Sequence, residues 1–413
     1  MKILLMGDAS NFHRTLATGL RRLGCDVTVA SAGSGFMQTE RDIDLRRPFK
    51  GKAGGLALWL HLNGSLGKRL KGFDIVSVSN CIFVEQKPSR IKTIFNRLKR
   101  DNGKIFLTAL GTDLPYLEEC LDPESKLRYN EFRIGNDASP YAKQHTEVIT
   151  DWQSTPLCNW CNEFYNNIDG AVSALYEYHI ALSRRLSPEK IAYGGIPIDL
   201  STLSPVEIPV IPSPIKIFLG RHRHRMAEKG TDRFEIAIRK ALDMNPGKGE
   251  LIIVENRPYD EYIALMRSSH IIVDQAYSYT PATNALLSMG YGIPTVSGGE
   301  NDFYDFIENQ GKTNRNQQSS ALDFDTQIET FKVPYPKNAD GSGCKTIDFN
   351  PKRPIINSPT DVEGMTEMFN YILQNPEILR PIGRASRRFV ATNNDCEIVA
   401  KRFLDFWISA NSR

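Results

Sequence analysis

Short apolar runs and helix-spaced apolar stripes alternate along most of the chain. Ile3 to Met6 is an apolar run that ends in a polar turn, Gly7-Asp8-Ala9-Ser10-Asn11. Leu16, Leu20 and Leu23 follow at helical spacing, Gly24 closes them, and Val27-Thr28-Val29 begins a new run. The pattern predicts strand, helix, strand. Phe73 to Val78 and Lys104 to Thr108 read as further strands of the same set. In the second half, Ile215 to Gly220, Leu251 to Glu255 and Ile271 to Val273 are β-branched runs, with a helix over Tyr259 to Ser269. Thr280-Pro281 has the form of a helix start, and Ala282, Ala285, Leu286 and Met289 fall on one helical face. Gly290 and Gly292 end that helix before a strand at Ile293 to Val296. The last fifty residues carry two core stripes, Val362, Met365, Met368, Phe369 and Ile372, then Cys396, Val399, Phe403, Leu404 and Trp407.

The fold class this implies is α/β, with doubly wound parallel sheets. A chain of 413 residues exceeds one ordinary core and suggests about two domains. Ile191 to Pro214 holds five prolines and a glycine pair, which is linker chemistry. The expected domains are residues 1–210 and 211–390, with a final helix over 391–413. Gln310 to Arg353 is poor in apolar residues and reads as a long surface excursion.

Composition narrows the function. Hydrophobic content of 41% with 24% charged residues fits a water-soluble globular chain, and a net charge of +3 argues against nucleic acid as partner. The opening MKILLMGD is too short for a signal peptide or a membrane span, so a cytoplasmic setting is expected. Seven scattered cysteines do not suggest a disulfide framework, and Cys158 and Cys161 lack the further ligands that zinc needs. His222 and His224 likewise lack a third ligand, so no metal is expected. Residues 41–104 are locally basic, with 15 Lys or Arg against 5 Asp or Glu, and they flank Leu56 to Leu62 with Trp59. Two readings stand: solvated helix faces, or a surface drawn to anionic lipid at the inner face of a membrane or to a phosphate-bearing acceptor.

Several segments carry a family resemblance. Asp274-Gln275 closes a strand, Met289-Gly290-Tyr291-Gly292-Ile293-Pro294-Thr295-Val296 follows, and Gly220-Arg221 precedes Lys229-Gly230. These resemble the carboxyl-terminal half of GT-B glycosyltransferases that use nucleotide-sugar donors, of the kind grouped as glycosyltransferase family 4. The resemblance implies two Rossmann-like domains facing a cleft. The first would take a glycan or lipid-linked acceptor. The second would take the nucleotide sugar as co-substrate, with no cofactor required.

On the donor side the resemblance points to Gly220 and Arg221, with Arg223 or Arg225 as substitutes because the spacer is about three residues longer than usual, and to Lys229. A guanidinium and an ammonium placed after a strand suit a diphosphate. Thr280 and the amides of Ala282, Thr283 and Asn284 would add a helix N-terminus for the same anion. Glu300, after Gly298-Gly299, lies on a loop expected to reach the cleft. On the acceptor side the implied residues are Asp8, Ser10, Asn11 and His13. Taken alone, His13 reads as a surface histidine early in a helix. Asp113, in Gly111-Thr112-Asp113, is read either as general base for the acceptor hydroxyl or as a cap ahead of Pro115.

Two departures stand out. The family carries two Glu residues eight apart, and here Tyr279 and Leu287 occupy those positions. Two alternatives to sugar transfer therefore remain: a protein of this fold that binds nucleotide sugar or glycan without transfer, and a nucleotide-sugar epimerase. The D-x-D strings at Asp42-Ile43-Asp44 and Asp323-Phe324-Asp325 follow no convincing strand and argue for no metal.

Overall fold

The structure, a computed structural model, describes residues 1–33, 40–313 and 330–411. Asp323-Phe324-Asp325 lies outside the described residues, as do positions 314–329 of the polar stretch. The chain forms two compact units. The first comprises Met1–Asp122, Gln144–Thr202 and Thr392–Arg413, and the second Pro123–Lys143 and Leu203–Ala391. The division thus falls after Thr202, where position 210 was expected. Residues 123–143, expected in the first domain by chain order, belong to the second unit.

The first unit is built on a parallel seven-stranded sheet. Its strands are β1 (Lys2–Met6), β2 (Asp26–Ser31), β3 (Ile43–Asp44), β4 (Ile75–Val78) and β5 (Lys104–Ala109). The excursion at 123–143 then contributes a small hairpin, β6 (Arg133–Ile134) and β7 (Asp137–Ala138), to the second unit. The first sheet is completed by β8 (Gly170–Ser173) and β9 (Ile191–Tyr193), in the order β3-β2-β1-β4-β5-β8-β9. Its central strands β1, β4, β5 and β8 are buried beyond the opening residues Lys2 and Lys104, as expected where helices cover both faces of a parallel sheet. The strand order reverses direction between β1 and β4, so the loops leaving their carboxyl ends diverge there. Ile191 to Tyr193, read as the start of a linker, is instead the seventh strand. Asp42 and Asp44 belong to edge pairing: Asp42 accepts from the Val29 amide and pairs with Arg21, and Asp44 pairs with Arg41 and Arg46.

The last helix, Cys396–Asn411, packs on the first, Phe12–Arg22. A Cβ at Gly19 would lie 2.1 Å from the Cys396 carbonyl oxygen, so the glycine permits that approach. Phe12 and Phe403 meet at 6.0 Å across the contact.

The second unit carries the parallel sheet β11-β10-β12-β13-β16, from β10 (Ile215–Gly220), β11 (Gly249–Val254), β12 (Ile271–Val273), β13 (Thr295–Ser297) and β16 (Ile356–Asn357). Its switch point lies between β10 and β12. Between β13 and β16, an antiparallel hairpin forms from β14 (Lys332–Pro336) and β15 (Cys344–Asp348). Val333, Pro334 and Pro336 are buried, so this part of the polar stretch is packed structure, contrary to the expected excursion. Proline is tolerated here because an isolated two-stranded ribbon is all edge.

Candidate functional site

In the second unit, the loops that leave the carboxyl ends of β10 and β12 carry most of the donor-side residues. Gly220 ends β10. A Cβ there would lie 2.4 Å from the Tyr262 hydroxyl, which donates to Asn284 Oδ1 at 2.9 Å. One tyrosine therefore braces the Gly-Arg turn and the helix that follows β12. Arg221 reaches back to acids of its own unit, Glu255 at 2.8 Å and Glu235. Arg223 is 73% exposed and touches Glu255 at 3.3 Å, and Arg225 pairs with Glu228 at 2.9 Å. Lys229 Nζ lies 2.9 Å from Asp274 Oδ1, directly after β12. Asp274 is 2% exposed and its Oδ2 has no hydrogen-bond partner. Gly230, at φ +72°, lets the Lys229 loop close on Ala276, whose amide donates to the Lys229 carbonyl at 2.9 Å.

The helix after β12 spans Thr283–Gly290, two residues later than Thr280-Pro281 suggested. Thr280 is buried ahead of it, and Ala282, the residue at the cap position, has no side-chain acceptor. The amides of Thr283 and Asn284 head a helix whose cap residue offers them no side-chain acceptor, which favours an anion.

Glu300 does not face an open donor site. It is 5% exposed and accepts from Tyr129 Oη at 2.7 Å, Asn357 Nδ2 at 2.9 Å, Tyr335 Oη at 3.1 Å and Arg128 Nη2 at 3.2 Å. Both carboxylate oxygens are taken, and Glu300 ties the 123–143 excursion and the β14 strand to the end of β13. Tyr279 is fully buried. Its hydroxyl accepts from the Arg128 amide at 2.6 Å, and the Arg128 guanidinium lies 5.3 Å above its ring. The position of the family's first Glu is thus an aromatic ring covered by Arg128. No periodicity in the sequence marks Arg128, Tyr129 or Tyr335 for this role.

In the first unit, Asp8, Ser10 and Asn11 lie on the loop after β1, and His13 lies in the first turn of the helix Phe12–Arg22. Ser10 and Asn11 adopt positive φ, 53° and 60°, an uncommon conformation for non-glycine residues. Asp8 Oδ1 accepts from the His13 amide at 3.0 Å, while Oδ2 is buried without a partner. Burial pushes the Asp8 carboxyl up to about 6, against the pull of several backbone amides. His13 is fully buried, neither at the surface nor open to an acceptor. Its Nδ1 lies 2.6 Å from the Gly7 carbonyl and its Nε2 3.1 Å from Thr108 Oγ1, which continues to Ser77 at 2.7 Å. Burial lowers its pKa to about 4, so the ring is neutral near pH 7 and joins the ends of β1, β4 and β5.

Asp113 is 5% exposed. Its Oδ1 caps the helix Leu114–Leu121 by accepting from the Tyr116 amide at 3.1 Å, and its Oδ2 accepts from Tyr165 Oη. Burial raises it to about 6. The capping alternative holds, and neither oxygen is left for an acceptor. Among the described residues no cluster of three or more His, Cys, Asp or Glu is placed to hold a metal.

No family model matches the sequence, and no curated protein matches it significantly. Solved structures do match over the whole chain. A sucrose-phosphate synthase from Thermosynechococcus elongatus superposes with a TM-score of 0.57 at 13% identity, over 100% of this chain and 99% of that one. A glycosyltransferase from Rickettsia africae gives 0.51 at 13%, over 100% and 99%. HepE from Anabaena, solved with UDP and glucose, gives 0.51 at 11%, over 99% of each chain. The architecture is the GT-B fold, two parallel-sheet α/β units.

Proposed function

We propose that the protein is a glycosyltransferase that moves a sugar from a nucleotide-sugar donor to a glycan or lipid-linked acceptor. One observation carries this reading. At the carboxyl end of β12, Lys229 is held by buried Asp274, and the same strand runs on into a helix whose cap residue, Ala282, has no side-chain acceptor. A diphosphate leaving group develops charge as the glycosidic bond breaks, and an ammonium with aligned amides stabilises that charge most in the transition state. Arg221 and the exposed Arg223 stand on the neighbouring loop. Neither step uses the two Glu residues that Tyr279 and Leu287 replace. On the acceptor side, Asp8 keeps an unpartnered oxygen and a pKa of about 6, which fits general-base work near neutral pH better than the doubly engaged Asp113. HepE, one of the similar solved structures, is in complex with UDP and glucose, which makes UDP the first nucleotide to test.

A second reading, binding without transfer, is favoured by one observation: the ring of Tyr279, covered by Arg128, where the family has a carboxylate. Thermal shift against a panel of nucleotide sugars, followed by assay of free nucleoside diphosphate, separates the two. Transfer predicts diphosphate release that depends on acceptor. Tight donor binding with no release under any acceptor supports the binder. Arg221→Ala and Lys229→Ala are expected to abolish the donor-induced shift, and a full shift in both overturns the donor-site assignment.

A further inference from the structure

A cavity of about 240 Å³ opens in the second unit, away from the Lys229 loop in sequence and built by different elements. Its walls are the 123–143 excursion, the start of the helix Asn301–Thr313, and the β14–β15 hairpin. Arg128 forms a fixed polar wall. Its Nε donates to the Ala339 carbonyl at 2.8 Å, both terminal nitrogens lie 3.1 Å from Asp302 Oδ2, and one also reaches Glu300. Two carboxylates therefore compensate Arg128 and hold it rigid.

The opposite wall differs in charge. Tyr335 pairs with Lys345 across the hairpin, and Lys337 lies two residues beyond Tyr335, so the pleat places the three on one face. Lys337 and Lys345 are exposed, and among the described residues neither has a carboxylate within ion-pair distance. The Lys345 ammonium instead sits 6.0 Å over the Tyr335 ring. The lining thus combines two uncompensated ammonium groups, the Asn301 and Asn338 amides, the Asp302 carboxylate, and the flat surfaces of Tyr335 and Pro336. Amides and a carboxylate suit vicinal hydroxyls, an aromatic face suits the C–H side of a pyranose, and paired ammoniums suit one anionic group.

We propose that this cavity binds a single sugar unit bearing one anionic group, a carboxylate or a phosphate, with the anion at Lys337 and Lys345 and the hydroxyls at Asp302, Asn301 and Asn338. The site lies beyond the transfer reading and does not depend on it.

Titration calorimetry on the full chain tests it, with glucuronate, glucose 6-phosphate and glucose as probes. Binding of either anionic sugar is expected, stronger than that of glucose and weakened by salt. Glucuronate alone or glucose 6-phosphate alone would identify the anion. The variant Lys337→Ala/Lys345→Ala, both at exposed positions, should bind about tenfold more weakly. Lys352→Ala, outside the cavity, should bind as the parent does. Saturating UDP should leave the anionic-sugar titration unchanged, which separates this cavity from the donor site whether or not UDP binds. Equal affinity for glucose, unchanged binding in the double variant, displacement by UDP, or no heat from either anionic sugar overturns the proposal.

Discussion

Lys229→Ala probes stability and donor binding at one point. The ammonium is 2.9 Å from Asp274, whose carboxylate is 2% exposed and has one oxygen already unpartnered. Removing the lysine leaves a charge stranded at the end of β12. Breaking a fully buried pair costs about 3–5 kcal/mol. The Lys229 side chain is 22% exposed, so water reaches the site, and we expect a loss of about 2 kcal/mol. In a unit of roughly 200 residues that lowers the melting temperature by about 4–8 °C. All four tryptophans, Trp59, Trp152, Trp160 and Trp407, lie in the first unit. Calorimetry should therefore show the loss while the tryptophan-detected transition stays in place. The double variant Lys229→Ala/Asp274→Asn removes the stranded charge as well and should recover about half of the loss. UDP should stabilise the parent by about 2.7 kcal/mol at a hundred times its dissociation constant, and neither variant at all. The reasoning fails if Lys229→Ala lies within about 0.5 kcal/mol of the parent, if the double variant is no more stable than the single, or if UDP stabilises Lys229→Ala fully.

Two further expectations concern the first unit. Asp113 is raised from 3.8 to about 6 by burial, so its proton is held more tightly in the folded state and its contribution is present below about pH 4 and lost as pH rises through about 6. The parent should lose about 3 kcal/mol relative to Asp113→Asn between pH 4 and 7, and parallel stability curves for the two would refute this. Phe49, Leu56 and Leu60 are 65%, 49% and 61% exposed beside Lys50 and Lys52, which fits the membrane-surface reading of the basic segment. No helix among the described residues is long and apolar enough to cross a membrane. The chain should co-sediment with phosphatidylserine vesicles and less with phosphatidylcholine, and Lys50→Ala/Lys52→Ala should weaken this by about 2 kcal/mol; no difference between the lipids or between parent and variant refutes it.

Much of the fold was legible because a parallel sheet covered on both faces needs continuous apolar strands, and runs such as Ile3 to Met6 and Ile217 to Leu219 can be little else. The burial of His13 was legible too, though by a rule not applied to it. Positions 13, 16, 17 and 20 repeat at helical spacing, and all four are buried in the helix Phe12–Arg22. The Thr280-Pro281 start misled because the chain stays extended through Ala282, at ψ −179°, before the helix begins. The partners of Glu300 were not legible. Tyr129 lies 171 positions away and Arg128 172, and nothing local to either segment encodes the meeting.

Charge compensation decides which of the donor-side cations matters most. The sequence presents Arg221, Arg223, Arg225 and Lys229 as a basic cluster, yet each contacts an acid in the folded unit. Arg221 is shared between Glu235 and Glu255, and Glu255 directly follows β11, the neighbour of β10. That geometry makes Arg221 a brace between two strand ends, and a diphosphate would have to compete with two carboxylates for it. Arg223 has one partner at 3.3 Å and 73% exposure, so it can turn to a ligand with little loss. Lys229 differs from both. Its partner cannot leave, because Asp274 is buried at the end of β12, so the ammonium stays at the strand end whether or not a donor is present. A fixed charge that needs no reorganisation is the kind that stabilises a leaving group in the transition state. Lys229 should therefore govern donor binding and turnover together, and Arg223 the salt dependence of donor binding.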